Sequence, residues 1–180
     1  MTQNILTGRC LCGNITYRIT LPTTETLPKV GTYLPIHQPL LYNTHSKPLC
    51  GHHPSNGKNQ IILCHCTNCK RYTGSGFSAN IIVPQSSFAY TQGSPKLYSD
   101  RSDKGGLVLR EFCPDCGSPF TSRSEGDEGK EVAVKSGTLN DGDRVRCREL
   151  GMEIYYHRRD GWVDGMGDEG VKRVDGSMGG

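Results

Sequence analysis

The sequence predicts an all-β domain, and three observations predict it. Short segments rich in β-branched and aromatic residues recur along the chain, with Gly, Pro, Asn and Asp between them. No stretch keeps a sustained helical period of apolar residues. Seven of the nine cysteines fall into three tight clusters, Cys10-Leu11-Cys12, Cys64-His65-Cys66-Thr67-Asn68-Cys69 and Cys113-Pro114-Asp115-Cys116. Sulfur at that density points to metal crosslinks that contribute to the stability of a thin-cored β domain.

Each element follows from its residues. Asn14 to Thr20 alternates apolar and polar side chains and reads as a strand, with the first cysteine pair on an extended lead-in. Residues 22–60 contain Pro22, Pro28, Pro35, Pro39, Pro48 and Pro54 and read as a long loop insertion. Ile61-Ile62-Leu63 is a short strand running into the second cluster. Arg71 to Gly76 is a turn, and Phe77 to Val83 is a strand ended by Pro84. Leu107 to Phe112 enters the third cluster, and Pro119 to Ser122 leaves it. Val132 to Lys135 and Met152 to His157 complete the β segments, with a turn at Leu139 to Gly142. This gives a single domain over 1–163, followed by a Gly-rich, charged, flexible tail at 164–180, the last ten residues of which should fray.

The bulk numbers narrow the function. At 180 residues and 34% hydrophobic content, with 23 Gly and 10 Pro, the apolar core is small for the length. The 21 basic and 18 acidic side chains leave a net charge of +3, too balanced for a nucleic-acid or anionic-membrane partner. The arginines at 144, 146, 148, 158 and 159 are interleaved with acids and read as a mixed solvated face. No apolar run is long enough to span a bilayer, and the first residues do not read as a secretion signal. A cytoplasmic location and reduced thiols are therefore expected, and an odd cysteine count also favours metal over disulfides.

The clusters divide as four plus three. Cys113-Pro-Asp-Cys116-Gly117 is a zinc knuckle, whose two thiolates reach one ion at about 2.3 Å. Cys10 and Cys12 would complete a closed site, with a zinc joining the first strand to a late hairpin about 100 residues away. Cys64, Cys66 and Cys69 supply three thiolates with no fourth cysteine close in sequence. Three readings are open for them. The fourth position takes water or substrate, giving a catalytic site. A distant residue, Cys50, His52, His53 or Cys147, closes a second structural site. Or the cluster pairs differently with the other cysteines. His65, between two ligands, is expected to be a solvated side chain. Trp162 is expected at the core or its rim.

In this order the three clusters resemble the glutathione-dependent formaldehyde-activating enzyme family, whose domain is shared with the centromere protein V group. The matching stretches are Gly8 to Gly13, Cys64 to Arg71 and Phe112 to Gly117, with weaker likeness at Gly74-Ser75, Ser136 to Asn140 and the strand ending near Trp162. The resemblance implies an Mss4-like β-tent fold. It also implies a structural zinc on Cys10, Cys12, Cys113 and Cys116 and a catalytic zinc on Cys64, Cys66 and Cys69. It implies a carbon–sulfur lyase that splits S-hydroxymethylglutathione into glutathione and formaldehyde. Lys70 and Arg71 could then meet carboxylates of a glutathione-like thiol, and Gly74 and Gly76 would allow close approach. The long insertion departs from the family pattern and could alter the entrance to the site. Two other functions stay open: a non-enzymatic zinc-stabilised binding module, or a lyase or addition enzyme for another thiol conjugate in specialised metabolism.

Overall fold

The structure, a computed structural model, describes residues 4–21, 61–126, 130–147, 149–163 and 171–177. Eleven strands form among these residues: β1 (Asn4–Arg9), β2 (Thr16–Leu21), β3 (Ile61–Cys64), β4 (Ser78–Pro84), β5 (Phe88–Gln92), β6 (Lys96–Arg101), β7 (Leu107–Phe112), β8 (Pro119–Ser124), β9 (Glu131–Lys135), β10 (Leu150–Ile154) and β11 (Lys172–Val174). Two short α-helices, α1 (Thr67–Thr73) and α2 (Asp141–Arg146), and four single-turn 3-10 helices accompany them among these residues. The domain is all-β in its framework, as the alternating segments predict.

Two sheets carry the fold. The smaller has the order β1-β2-β5, and the larger has the order β11-β10-β3-β4-β9-β8-β7-β6. In β2 the side chains of Tyr17, Ile19 and Leu21 are buried while Arg18 is exposed, which is the period of two of a strand with one wet face. Tyr17, Phe88, Tyr90 and Phe120 join the sheets through ring contacts of 5.0–5.9 Å. Burying each such ring stabilises the fold by roughly 1.5–3 kcal/mol. Leu6, Ile81, Val83, Val132 and Val134 fill the same core. A second, smaller cluster of Cys64, Cys69 and Ile154, flanked by Ile62, Met152, Tyr155 and Val174, lies at the end of β3 and β10.

In its elements the structure differs from the sequence reading in five places. Cys10 to Cys12 is not an extended lead-in but part of the tight turn of the β1–β2 hairpin, where Cys10 N donates to Ile15 O at 3.0 Å and Gly13 N to Cys10 O at 3.1 Å. The expected turn at Arg71 to Gly76 is the last turn of α1 and its cap. A seven-residue helix is too short to print a period on the sequence. The expected turn at Leu139 to Gly142 is likewise the entry to α2. Strands β1, β5 and β6 were not predicted. The side chains of β6 are mostly exposed and polar, so its place as a strand comes from the ladder with β7. The tail, expected to fray, returns at β11 to pair in parallel with β10, and Tyr155 N donates to Gly176 O at 2.9 Å. The 22–60 insertion lies outside the described residues, and so do Cys50, His52 and His53.

Candidate metal centres

Cys10, Cys12, Cys113 and Cys116 bring their sulfurs within 4.8 Å of one another. They sit on two hairpin turns, between β1 and β2 and between β7 and β8. Cys10 Sγ is 3.4 Å from Cys12 Sγ, and Cys12 Sγ is 3.8 Å from Cys113 Sγ. Four thiolates at about 2.3 Å from a tetrahedral zinc stand about 3.8 Å apart, so the donor set fits that ion. Disulfides would need about 2.05 Å, and all eight described cysteines are free. The turns are shaped around the sulfurs. Gly117 takes φ 73°, and its N–H donates to Cys113 O at 2.9 Å. Ile15 N donates to Cys10 Sγ at 3.2 Å. Ser118 Oγ lies 3.2 Å from Cys116 Sγ and accepts from Leu11 N at 2.9 Å, tying the two turns together. The Ser118 hydroxyl is the first cause of a Cys116 pKa lowered to about 5.

Cys64, Cys66 and Cys69 form a second, separate group, also with their sulfurs within 4.8 Å. Cys64 ends β3, Cys66 caps α1, and Cys69 lies one turn into the helix. Cys69 N donates to Cys66 Sγ at 3.4 Å, so the helix start and the sulfur cluster are one construction. Cys64 and Cys69 are buried, and Cys66 is half-buried. Hydrogen bonds from Cys64 and Cys66 are the main cause that lowers the Cys69 pKa to about 2, against the desolvation of burial, and Lys135 and Arg110 add to the pull. The Cys64 thiol is raised, first by its hydrogen bond to Cys66 and then by that to Cys69. Cys147, a candidate fourth ligand from sequence, is buried in the large core and joins neither group. The four-plus-three division is therefore the arrangement present among the described residues.

His65 is corrected by the structure. Its side chain is fully buried rather than solvated, and its Nε2 lies 2.8 Å from Glu153 Oε2, also fully buried. Its backbone N–H donates to Ile154 O at 3.1 Å. Arg159 and Arg173 reach the same Glu153 carboxylate at 3.4 and 3.3 Å. His65 stands outside the sulfur group, and its ring packs 6.0 Å from that of Phe77, in the interior and not in solvent. The cysteine-bearing segment is thereby clamped to β10.

The family profile described as glutathione-dependent formaldehyde-activating enzyme matches residues 46–158. The matched stretch takes in all of the second and third cysteine clusters. The chain belongs to the glutathione-dependent formaldehyde-activating enzyme family. The match leaves out Cys10 and Cys12, which the sequence groups with Cys113 and Cys116 and the fold brings to them. No curated protein matches the chain. Among solved structures it is similar to a Rhodobacter sphaeroides protein at 16% identity, over 75% of this chain and 88% of that one, with a TM-score of 0.42.

In this member of the formaldehyde-activating family, Lys70, Arg71, Gly74 and Gly76 line one open cleft of about 570 Å³ with Ser75, Asp160 and Trp162. The cleft starts one residue after Cys69, and no cysteine is among its lining residues. Lys70 Nζ donates to Asp160 Oδ1 at 2.6 Å and to Arg158 O at 2.7 Å, so its charge is already engaged. Arg71 is exposed and has no ion-pair partner among the described residues. Gly74 ends α1 at φ 64°, and a Cβ there would meet nothing within 4 Å, so it serves as the left-handed cap rather than as room for a ligand. At Gly76 a Cβ would stand 2.5 Å from Trp162 Cζ2, so the room this glycine makes is taken by the indole. Trp162, 70% exposed, is a rim residue of the cleft.

Sequence reasoning missed three residues beside the second sulfur group. Arg110 Nη1 approaches Cys69 Sγ at 3.9 Å while its other nitrogens fork onto Asp100 at 2.8 and 3.2 Å. Lys135 is buried, and desolvation lowers its pKa to about 8 against the opposing pull of Cys69. Tyr155 packs on the cluster in the left-handed region at φ 54°, the one described non-glycine residue there. The mixed arginine face holds for Arg144, Arg146 and Arg158, paired with Asp141, Asp143 and Asp103, but the Arg159 side chain is buried against Glu153, and Arg148 lies outside the described residues. No helix among the described residues is long and apolar enough to cross a membrane.

Proposed function

We propose that the chain is a zinc-dependent carbon–sulfur lyase acting on a thiol–aldehyde adduct of the S-hydroxymethylglutathione type. The observation that carries this is the three-sulfur group. Cys64, Cys66 and Cys69 converge, and no fourth Cys, His, Asp or Glu among the described residues joins them. Three protein ligands with one position left for substrate is the pattern of catalytic zinc, whereas four ligands close a structural site. Family membership supports the thiol and the aldehyde.

Zinc bound there would supply the positive charge that holds a substrate sulfur as thiolate at neutral pH. Three cysteine thiolates leave a divalent cation with formal charge −1, which disfavours activation of water and argues against a hydrolase. In the cleavage direction the adduct hydroxyl would lose its proton to solvent and its oxygen would close a C=O bond. The C–S bond breaks with its electron pair on sulfur, giving an aldehyde and a thiolate. The reverse direction joins the same two. Arg71, and Lys70 to the extent that Asp160 releases it, would receive the carboxylates of a glutathione-like thiol in the cleft, against the wall made by Trp162.

The test is metal analysis of the full chain, followed by cobalt(II) substitution and titration with glutathione. Two metals per chain are expected, one of which changes its visible spectrum on adding thiol. Exchange between formaldehyde and its glutathione adduct, followed by NMR, should accelerate with enzyme. Two metals that ignore every thiol would favour the binding-module reading, with Cys50, His52 or His53 closing the second site.

A further inference from the structure

The reaction so described leaves one buried charge both unused and without an ion-pair partner among the described residues. Lys135, at the end of β9, is 4% exposed. Its ammonium donates to Asn80 Oδ1 at 2.7 Å and stands 5.5 Å from the centre of the Tyr72 ring. No carboxylate pairs with it among the described residues, and a lysine is almost never buried without a counter-charge. Arg110 shares the Tyr72 ring, 5.0 Å from its centre, but differs from Lys135 in one respect: Asp100 neutralises it.

The surroundings of Lys135 identify what faces it. Asn80 on β4 is neutral, and Arg110 on β7 is a cation that repels it. Tyr72 on α1 presents a ring. The three-cysteine group lies on the same side: Lys135 pairs with Asn80 on β4, two residues from Ser78, which pairs with Cys64, and Arg110, which shares the Tyr72 ring with Lys135, reaches Cys69 Sγ at 3.9 Å. Asn80 is itself fixed by Ser78 Oγ at 2.9 Å and by Ile62 O at 3.2 Å, both on strands that carry or adjoin Cys64. The ammonium is thus aimed by a buried amide on the sheet that holds the cysteines.

We propose that Lys135 is the counter-charge of the three-cysteine centre, a positioning residue that makes a further negative charge tolerable there and so selects a thiolate over neutral water as the fourth ligand. This rests on the reading of that centre as the thiol-binding site. Three cysteine thiolates and a divalent cation sum to −1, and a substrate thiolate takes the sum to −2. A buried ammonium facing that charge lowers the free energy of the thiolate-bound form more than that of the water-bound form, because only the former gains charge. Arg110, already paired, supplies a directed hydrogen bond to Cys69 but little net charge.

The experiment uses the full chain loaded with cobalt(II) and glutathione as the probe. Thiolate-to-cobalt absorption is followed against pH for the wild type, Lys135→Met, Lys135→Gln and Lys135→Arg. All four should retain both metals. In the Met and Gln variants the pH midpoint of thiol binding should rise by about one unit, which is about tenfold weaker binding below that midpoint. Lys135→Arg should restore it, and Lys135→Gln keeps a donor to Asn80 should the Met variant fail to fold. Unchanged midpoints in Met and Gln variants that hold both metals overturn the proposal, even if their Tm falls. A wild-type protein with no thiol-dependent absorption overturns the lyase reading itself, and that result appears before any variant is made.

Discussion

Cys10, Cys12, Cys113 and Cys116 come from two hairpin turns about 100 residues apart, whereas Cys64, Cys66 and Cys69 come from six consecutive residues. The first group is surrounded by backbone N–H groups and the Ser118 hydroxyl, which hold sulfurs in place without bringing a charge. The second has Arg110 and Tyr155 against it and buried Lys135 behind the Tyr72 ring, and the clamp of His65 on Glu153 fixes its backbone. A metal held there would crosslink distant segments and change the entropy of the whole chain, which would make that site a folding device. A local triad crosslinks almost nothing, because β3 and α1 are already adjacent. What it gains from its neighbours is charge and rigidity, which matter for chemistry.

That contrast can be broken most severely at the clasp. Cys113→Ser removes a fully buried ligand from the four-sulfur group and should lower Tm by roughly 10 °C or more, or abolish folding, as followed by circular dichroism. Cys66→Ser should lose one metal per chain and all turnover while Tm moves by only a few degrees. Equal unfolding of the two variants would erase the distinction between the groups.

His65→Ala sharpens the comparison from the other side. It strips the 2.8 Å partner from buried Glu153 and should destabilise the fold by about 2–3 kcal/mol. Chelator competition should show the three-sulfur group releasing metal first while the four-sulfur group keeps its ion. Release from both at one chelator concentration would mean that the clamp has no local role.

The smallest effect is expected at the cleft. Gly76→Val places a Cβ where Trp162 now lies, and that exposed indole can swing out, so stability should change by less than about 1 kcal/mol. KM for the thiol should still rise several-fold with kcat nearly unchanged. An unaltered KM would remove the cleft from the binding site.

Much of the site was legible in the sequence because metal chemistry is local. Two cysteines separated by two residues reach one ion whatever else the fold does, and Leu107 to Phe112 leads into that knuckle as a strand within its sequence bounds. Helix α1 was not legible. Its seven residues carry no period, and its start is capped by Cys66 Sγ, an acceptor that reads in sequence as a ligand only. His65 was legible in direction but not in environment, because a period of two says which face a residue takes and not what covers that face. Strand β11 was hidden in a Gly-rich tail, since its three residues are held by pairing with β10 rather than by their own preference.

The sequence by itself determined the all-β class, the two groups of cysteines that could hold metal, and the family. Each depends on residue type and short spacing, which the chain carries openly. Only the tertiary structure decided how the first and last clusters meet, on two hairpin turns, and that Arg110 stands beside Cys69 while Lys135 is buried on the same sheet. The reason is range. A thiolate finds a partner two residues away through covalent geometry, but an ammonium finds its counter-charge through space, and β4 and β9 must be in register before Lys135 lies opposite Asn80.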